Sequence, residues 1–295
     1  MSRKTMLITG ATGFTGRHAF RYFKEKGYDV FGVSRHAKKA GMLQADVTKR
    51  DEAFQIIQGV QPDFVLHLAG QNAVDLSWKH PLTTFDANLA ASLHMLEAIR
   101  NHQPKAKMIV VGSALEDRIG DDQPPSHPYG LSKALQSWLA VKWAELFGLH
   151  VIVAKPTNLI GPGFSNGVCA RFAETIADME KRGETGTITI ANPEIRRDFL
   201  DVRDAVKGYD VLFRKGTVGE IYELGSGQSV SLLRIAHIYQ KISEISFAID
   251  VLNELVQLSV PPLNIKKMND LGWKPTISLK QSLMDCLNFY RQCGG

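Results

Sequence analysis

A tyrosine and a lysine stand four residues apart in the segment Tyr129-Gly-Leu-Ser-Lys133. On a helix this spacing places both side chains on one face. A neighbouring ammonium stabilises a phenolate and lowers the pKa of the phenol, so that a tyrosine can exchange a proton near neutral pH. Ser113, at the end of an apolar stretch, can donate to the same substrate oxygen. The alternative is that Tyr129 merely begins a helix and Lys133 is solvated.

A glycine-rich segment, Gly10-Ala-Thr-Gly13-Phe-Thr-Gly16, follows the apolar stretch Met6-Leu-Ile-Thr9 and opens a helical pattern. Glycines allow a tight turn and let backbone N–H groups approach a pyrophosphate at the positive end of a helix. The pattern predicts a dinucleotide-binding loop. The alternative is a glycine-containing turn that binds no ligand. The cofactor contacts predicted here are Gly10, Thr12, Gly13, Phe14, Thr15 and Gly16.

The second predicted strand ends in Ser34-Arg35-His36, without the acidic residue that favours a free ribose 2′-hydroxyl. Arg35, with Lys38 and Lys39 nearby, can instead make charge-assisted hydrogen bonds to a 2′-phosphate. We therefore predict NADP(H) as the cofactor. The alternative is a solvated basic loop.

Short apolar runs alternate with helical patterns through the first half of the chain, which predicts an α/β fold with a doubly wound parallel (Rossmann) sheet. After Pro156 the pattern loosens, and we expect a smaller C-terminal substrate-binding lobe. The predicted division is 1–156 and 157–295, with some later segments returning to the main sheet. The predicted strands are Lys4–Thr9, Asp29–Ser34, Met42–Leu43, Asp63–Leu68, Lys107–Gly112, His150–Ala154 and Thr187–Ala191. The predicted helices are Thr15–Lys26, Arg50–Gly59, Leu82–Asn101, Tyr129–Phe147, Val168–Arg182, Leu232–Ser243 and Ser278–Arg291.

The bulk composition is that of a globular protein: of 295 residues, 44% are hydrophobic and 22% charged. The net charge of +5 comes from scattered Lys and Arg residues, which an anionic small ligand explains as well as nucleic acid does. No apolar stretch near the N-terminus resembles a leader or a membrane span, so we expect a cytoplasmic protein. Cys169, Cys286 and Cys293 lack metal-ligand spacing, and neither a disulfide framework nor a metal site is predicted.

Together, GATGFTG, HLAG, the strand-end Ser113, YGLSK and RRDFLDVRD resemble the extended short-chain dehydrogenase/reductases of the NAD-dependent epimerase/dehydratase family. The resemblance extends to Leu271-Gly-Trp-Lys-Pro275. Within the family, the stretches Ala154–Gly163, Phe172–Ile176 and Arg196–Phe199 are similar to GDP-4-keto-6-deoxy-D-mannose reductases.

The resemblance implies a role for each matching residue. Ser113 would polarise a keto group, Tyr129 act as general acid, and Lys133 hold the nicotinamide ribose; all three are the predicted catalytic residues. Asn158 and Arg197 would contact the sugar nucleotide, Arg197 at its diphosphate. Asn88 would be structural. Further cofactor contacts implied are Asp46 and Val47 at the adenine edge, then Leu68, Ala69, Gly70, Tyr129, Lys133 and Pro156. From spacing alone, Asp46 could equally cap the helix that begins near Lys49.

Three positions depart from the family pattern. Dehydratases carry a glutamate two residues beyond the strand-end Ser or Thr, where this chain has Leu115, followed by Glu116 and Asp117. Gly70 replaces the last alanine of the usual HLAA motif, and a neighbouring side chain can fill the space of the missing methyl group. The segment Leu258-Ser-Val-Pro-Pro262 contains no arginine where relatives usually have one, so diphosphate binding would be weaker or differently arranged.

These features predict NADPH-dependent reduction of the C4 keto group of a nucleotide-linked 4-keto-6-deoxyhexose, with a GDP-6-deoxyhexose such as GDP-rhamnose as product. The alternatives are a nucleotide-sugar 4-epimerase or 4,6-dehydratase, and a non-catalytic NADP-sensing or interaction protein. No nucleic-acid or membrane partner is expected. A homodimer is predicted, because the long helices after the fourth and fifth strands can pair across a twofold axis; the alternative is that their apolar residues face the sheet.

Overall fold

The structure is a computed structural model that describes residues 3–36, 41–120, 122, 124–252 and 262–293. The chain forms two compact units, one of residues 1–156 and 206–222, the other of residues 157–205 and 223–295. Lys38, Lys39 and residues 258–261 of the Leu258–Pro262 segment lie outside the described residues.

Seven strands form the main sheet within the described residues, in the order β10, β6, β5, β4, β1, β2, β3. The neighbours from β3 to β6 pair in parallel. Most of these strands are nearly continuous in Val, Ile, Leu and Met, because a parallel sheet is covered on both faces. The α/β doubly wound prediction is confirmed. The strands are β1 (Thr5–Thr9), β2 (Asp29–Ser34), β3 (Met42–Gln44), β4 (Phe64–His67), β5 (Lys107–Val111), β6 (His150–Pro156) and β10 (Ile221–Leu224).

Helices cover both faces of this sheet. On one face α2, α5 and α6 bury apolar side chains against Leu7, Val65 and Met108. On the other face Phe23 of α1 meets Phe213 of α8 edge to face. The helices are α1 (Phe14–Glu25), α2 (Arg50–Val60), α3 (Val74–Lys79), α4 (Pro81–Phe85), α5 (Ala91–His102), α6 (Pro128–Phe147) and α8 (Val202–Lys215).

The prediction of one continuous helix over Leu82–Asn101 is wrong. A π-helical turn, Asp86–Ala90, separates α4 from α5. Such a turn inserts one residue into the helical repeat and re-aims the side chains within it. Here it carries the buried Asn88, whose side chain binds two other segments of the first unit.

The second unit has its own core of apolar side chains from its helices and its small sheets. One sheet has three strands in the order β11, β9, β7, and the other pairs β12 with β8. The strands are β7 (Asn158–Ile160), β8 (Thr187–Ile190), β9 (Arg196–Asp201), β11 (Ser229–Ser231) and β12 (Ala248–Val251). The helices are α7 (Val168–Arg182), α9 (Leu232–Ile242), α10 (Lys266–Asp270) and α11 (Leu279–Cys293).

Candidate active site

The candidate site of the first unit lies where parallel strands end. The carboxyl ends of neighbouring strands meet at one edge of the sheet, which is where ligands bind in open α/β folds. Gly10 follows β1, Arg35 follows β2, Leu68 follows β4 and Ser113 follows β5. Pro156 is the last residue of β6, and its carbonyl accepts a hydrogen bond from Ala114 N. These predicted contacts therefore lie at one edge.

The glycine-rich loop has no room for side chains at its glycines. A Cβ on Gly16 would lie 2.1 Å from the Gly10 carbonyl oxygen, and one on Gly10 would lie 2.9 Å from Ala69 N. Gly10 also has a φ of 66°, a conformation that glycine adopts without strain. Gly13 is the N-cap of α1, and Phe14 and Thr15 form its first turn, which contains no acidic residue. This cradle of backbone N–H groups fits a dinucleotide pyrophosphate.

The segment Leu68–Gly70 packs directly against this loop. Ala69 N donates to Thr9 Oγ1, and Gln71 N donates to Asn88 Oδ1. A Cβ on Gly70 would lie 2.7 Å from Asn88 Oδ1, so the asparagine side chain fills the space that an alanine methyl group would occupy. Asn88 Nδ2 also donates to Ser132 Oγ on α6, which links the π-helical turn to the helix that carries Tyr129.

The predicted ribose-binding segment is next to the glycine-rich loop. Ser34 Oγ lies 3.0 Å from Thr12 Oγ1, and Arg17 Nε donates to the Thr12 carbonyl. Arg35 is exposed. Its guanidinium is close enough to help lower the pKa of Asp46. Thr12, Ser34 and Arg35 thus form a polar group that fits a ribose phosphate.

Asp46 does not cap α2, because the N-cap of that helix is Lys49. The Asp46 carboxylate instead accepts hydrogen bonds from the Thr48 backbone and hydroxyl. Burial opposes ionisation of Asp46, but these hydrogen bonds and the nearby Arg35 lower its pKa overall. Val47 is buried beside it. The alternative that the Asp46 side chain caps α2 is therefore wrong. The contact of Asp46 and Val47 with the adenine stays a prediction.

Ser113, Tyr129 and Lys133 are all buried in the first unit. Burial raises the pKa of Tyr129, and a hydrogen bond with Ser113 opposes that rise only in part. The Lys133 ammonium donates to the Val111 carbonyl at 3.0 Å and to Gln136 Oε1 at 2.9 Å. Burial lowers the pKa of Lys133 to about 8. The lowering of the Tyr129 pKa by Lys133 stays a prediction, and burial of the phenol acts in the opposite direction.

The two acids that follow Ser113 are bound within the protein. Glu116 accepts from Ser137 Oγ at 2.8 Å and forms an ion pair with Lys155. Asp117 Oδ1 accepts from the backbone and hydroxyl of Ser126. Leu115, two residues after Ser113, has an apolar side chain, and its N–H donates to Ser113 Oγ.

Asn158 and Arg197 belong to the second unit, on β7 and β9. Asn158 Nδ2 donates to the Asp198 carbonyl at 3.0 Å. Arg197 Nη1 donates to the Arg196 carbonyl, and burial lowers the Arg197 pKa. Asp198 accepts three hydrogen bonds from Ser226 and Gly227 and so joins β9 to the loop before β11.

Sequence reasoning missed a group of buried polar residues behind Lys133: Thr9, Ser92 and Gln136, together with the His67 side chain of the HLAG motif. Motif spacing gives no signal for them, since they lie on β1, α5, α6 and β4. In the described part of the chain, no three His, Cys, Asp or Glu side chains cluster as metal ligands. No described helix is both long and apolar enough to cross a bilayer.

The sequence profile of the NAD dependent epimerase/dehydratase family matches residues 6–225. The chain belongs to this family. It is an enzyme of the short-chain dehydrogenase/reductase type, as the motifs predicted. It is 26% identical to the GDP-6-deoxy-D-mannose reductase of Pseudomonas aeruginosa, over 96% of each chain. It is 24% identical to the dTDP-D-glucose 4,6-dehydratase of Bos taurus, over 98% of this chain and 89% of the relative.

Solved structures of this family superpose along nearly the whole chain. RMD from Pseudomonas aeruginosa, complexed with NADPH, has a TM-score of 0.86 at 26% identity and covers 99% of this chain and 98% of its own. The UDP-glucose 4-epimerase of Thermus thermophilus, complexed with NAD, has a TM-score of 0.82 at 21% identity and covers 97% and 99%. The cofactor prediction is confirmed at the level of a nicotinamide dinucleotide.

Proposed function

We propose that this family member uses NADPH to reduce the C4 keto group of a nucleotide-linked 4-keto-6-deoxyhexose, with GDP-4-keto-6-deoxymannose as the first candidate substrate and a GDP-6-deoxyhexose such as GDP-rhamnose as product. The observation that carries the proposal is the buried trio Ser113, Tyr129 and Lys133, in which Ser113 and Tyr129 share a hydrogen bond. A tyrosine that keeps its proton at neutral pH is suited to protonate an alkoxide. Similarity to a GDP-6-deoxy-D-mannose reductase supports the substrate class.

Each part of the first unit has a role in this proposal. The glycine-rich loop and the N-terminus of α1 bind the cofactor pyrophosphate, and Arg35 with Ser34 and Thr12 binds its 2′-phosphate. NADPH, when bound, supplies the hydride that reduces the carbonyl carbon. Ser113 donates a hydrogen bond to the carbonyl oxygen, and Tyr129 transfers its proton to that oxygen. Lys133 holds the nicotinamide ribose. In the second unit, Asn158 and Arg197 are proposed to contact the sugar nucleotide, Arg197 at its diphosphate.

One observation favours this reaction over the dehydratase alternative. A 4,6-dehydratase requires a base at the position of Leu115, and the neighbouring Glu116 and Asp117 carboxylates are held by internal hydrogen bonds and an ion pair. A 4-epimerase would use Tyr129 for the reverse of the same proton transfer, so the net consumption of NADPH is what separates it from a reductase. A non-catalytic sensor would not need the buried trio.

The experiment is NADPH oxidation by the purified protein with GDP-, dTDP-, CDP- and UDP-linked 4-keto-6-deoxysugars offered separately. With one of these substrates we expect one NADPH to be oxidised for each sugar that is reduced. The GDP-linked sugar is the first candidate. An epimerase or dehydratase would instead convert a nucleotide hexose that still carries its C4 and C6 hydroxyl groups, offered in a parallel assay, without net NADPH consumption. NADPH binding without conversion of any substrate would instead support the sensor alternative.

We also propose that the protein forms a homodimer. Large apolar side chains are exposed on α3, α4 and α6: Trp78 at 63%, Leu82 at 80% and Trp138 at 48%. Both α3 and α4 pack against α6, so the three side chains lie on neighbouring helices. Light scattering after size exclusion should give twice the chain mass for the wild type and one chain mass for the Leu82→Glu/Trp138→Glu variant. A monomeric wild type would refute the proposal.

A further inference from the structure

Behind Lys133, a chain of buried hydrogen bonds runs across the first unit. Lys133 Nζ donates to Gln136 Oε1 at 2.9 Å, and Gln136 Nε2 donates to Ser92 Oγ at 2.6 Å. Ser92 Oγ lies 2.9 Å from His67 Nε2, and His67 Nδ1 lies 2.8 Å from Thr9 Oγ1. Gln136, Ser92, His67 and Thr9 are fully buried. The chain therefore joins the predicted catalytic lysine to the strand before the glycine-rich loop.

The direction of these hydrogen bonds follows from proton counting. Ser92 has a single hydroxyl proton, which it donates to the Asn88 carbonyl at 2.7 Å. Ser92 Oγ must therefore accept from both Gln136 and His67, which places the imidazole proton on Nε2. Burial, reinforced by the charge of Lys133, lowers the pKa of His67 to about 3, so the ring is neutral. His67 Nδ1 then accepts from the Thr9 hydroxyl, which itself accepts from Ala69 N.

The same counting fixes the orientation of the Gln136 amide. A reversed amide would direct its NH₂ group at the Lys133 ammonium and its oxygen at Ser92, whose proton is already donated elsewhere. The observed orientation gives every group in the chain a partner of the correct kind. The Gln136 oxygen is thus held toward Lys133 by contacts that do not include Lys133.

We infer that Gln136 is a positioning residue, whose carboxamide oxygen, oriented by Ser92 and His67, holds the Lys133 ammonium in its working position. The inference rests on the proposed function only in taking Lys133 as the lysine that serves the cofactor and Tyr129. It has a chemical consequence. A neutral acceptor binds the ammonium without adding a negative charge, so burial can still lower the pKa of Lys133. A carboxylate in the same place would stabilise the charged ammonium and raise that pKa. His67 on β4 is a titratable side chain close enough for the Lys133 charge to lower its pKa, and Tyr129 stands four residues before Lys133 on α6.

The test compares Gln136→Glu with Gln136→Met through the pH dependence of NADPH affinity and of turnover. We expect Gln136→Glu to move the basic limb of both profiles upward by about one pH unit or more, because a carboxylate raises the pKa of Lys133. Gln136→Met removes the acceptor, so its basic limb should move downward. Ser92→Ala should act in the same direction as Gln136→Met. The charge-matched control is Gln58→Glu on the exposed side of α2, which should leave the limb unchanged.

The outcomes separate this inference from the proposed function. If Gln136→Glu and Gln136→Met shift the basic limb of the NADPH-affinity profile in opposite directions, the role of Gln136 is supported even if no 4-keto sugar is reduced. A wild type that reduces a 4-keto sugar, with a basic limb that neither variant moves, overturns the inference and leaves the function standing.

A second measurement applies if the variants do not fold. Nitrogen-15 NMR of wild-type His67 should show a neutral ring protonated on Nε2 at pH 6. A ring protonated on Nδ1, or on both nitrogens, would overturn the inference.

Discussion

Tyr129 illustrates how burial acts on a side chain that its spacing marks for proton transfer. Its position four residues before Lys133 indicates proton transfer, but spacing does not say which form of the phenol is present. Burial raises the pKa of Tyr129, and therefore favours the protonated form. A reductase needs that form, because the oxygen of the reduced carbonyl must receive a proton.

Replacing Tyr129 with phenylalanine removes that proton donor and little else. We expect turnover of the 4-keto sugar to fall roughly 100- to 10,000-fold, with NADPH affinity nearly unchanged. Tyr28→Phe is the matched control, since Tyr28 contacts Phe23 and Phe64 through its ring. Turnover by Tyr129→Phe equal to that of the control would remove Tyr129 from the mechanism.

Arg35 tests the choice between the two nicotinamide cofactors. A charge-assisted hydrogen bond to a 2′-phosphate is lost in Arg35→Ala, so the Kd for NADPH should rise roughly 10- to 100-fold while that for NADH stays nearly constant. Fluorescence titration with each cofactor measures both values. Arg182→Ala, at the exposed end of α7, is the control. An equal loss of affinity for both cofactors would contradict a phosphate contact.

At the scale of elements, the close contact between α1 and the glycine-rich loop requires glycine. A Cβ on Gly16 would lie 2.1 Å from the Gly10 carbonyl oxygen and 2.7 Å from Ala11 Cα. These are backbone atoms, which cannot move aside as the end of a flexible side chain can. The loop and the helix must therefore separate if any side chain is introduced at this position.

Gly16→Ala should accordingly weaken both folding and cofactor binding. We expect a loss of about 1–3 kcal/mol in the free energy of unfolding and a weaker affinity for NADPH. Gly59→Ala in α2 is the opposite case, since nothing lies within 4 Å of the added Cβ. That variant should be about 0.5–1 kcal/mol more stable than the wild type. Urea unfolding and NADPH titration measure both effects, and equal stabilities would contradict the close contact.

The helix α8 has a clear signal in the sequence. Six of its apolar residues recur at helical spacing and are buried. They are Val202, Ala205, Val206, Tyr209, Leu212 and Phe213. By contrast, the break between α4 and α5 has no such signal, because a π-helical turn changes the repeat by one residue without requiring Gly or Pro.

At the scale of the whole molecule, the buried His67 makes stability depend on pH. The pKa of His67 falls from 6.5 to about 3 on folding. Between these values the unfolded chain binds a proton that the folded protein does not, so the free energy of unfolding falls as pH decreases through this window. Above pH 6.5 the ring is neutral in both states, and this contribution is constant.

The variant His67→Gln should lose this part of the pH dependence. Between pH 7 and pH 5, the wild type should lose about 2 kcal/mol more stability than the variant, whatever their stabilities at pH 7. Urea unfolding at several pH values measures the slope. His150→Gln, at an exposed position, should keep the wild-type slope. A slope for His67→Gln equal to that of wild type would mean that His67 is not neutral in the folded protein.

The sequence by itself determined the alternating β and α elements, the glycine-rich loop and the Tyr129–Lys133 pair. Each depends on residues close together in the chain: apolar periodicity, glycines at fixed spacing, or two side chains one helical turn apart. The family followed from these local motifs, as the profile match confirmed.

Only the tertiary structure decided how the buried polar residues are paired and which protonation states they favour. Thr9, His67, Ser92 and Gln136 come from four different elements, and no spacing along the chain links them. The pKa values of Tyr129 and Lys133 likewise depend on how completely packing excludes water from them. Such desolvation is a property of the folded surroundings, so residue types and spacing cannot specify it.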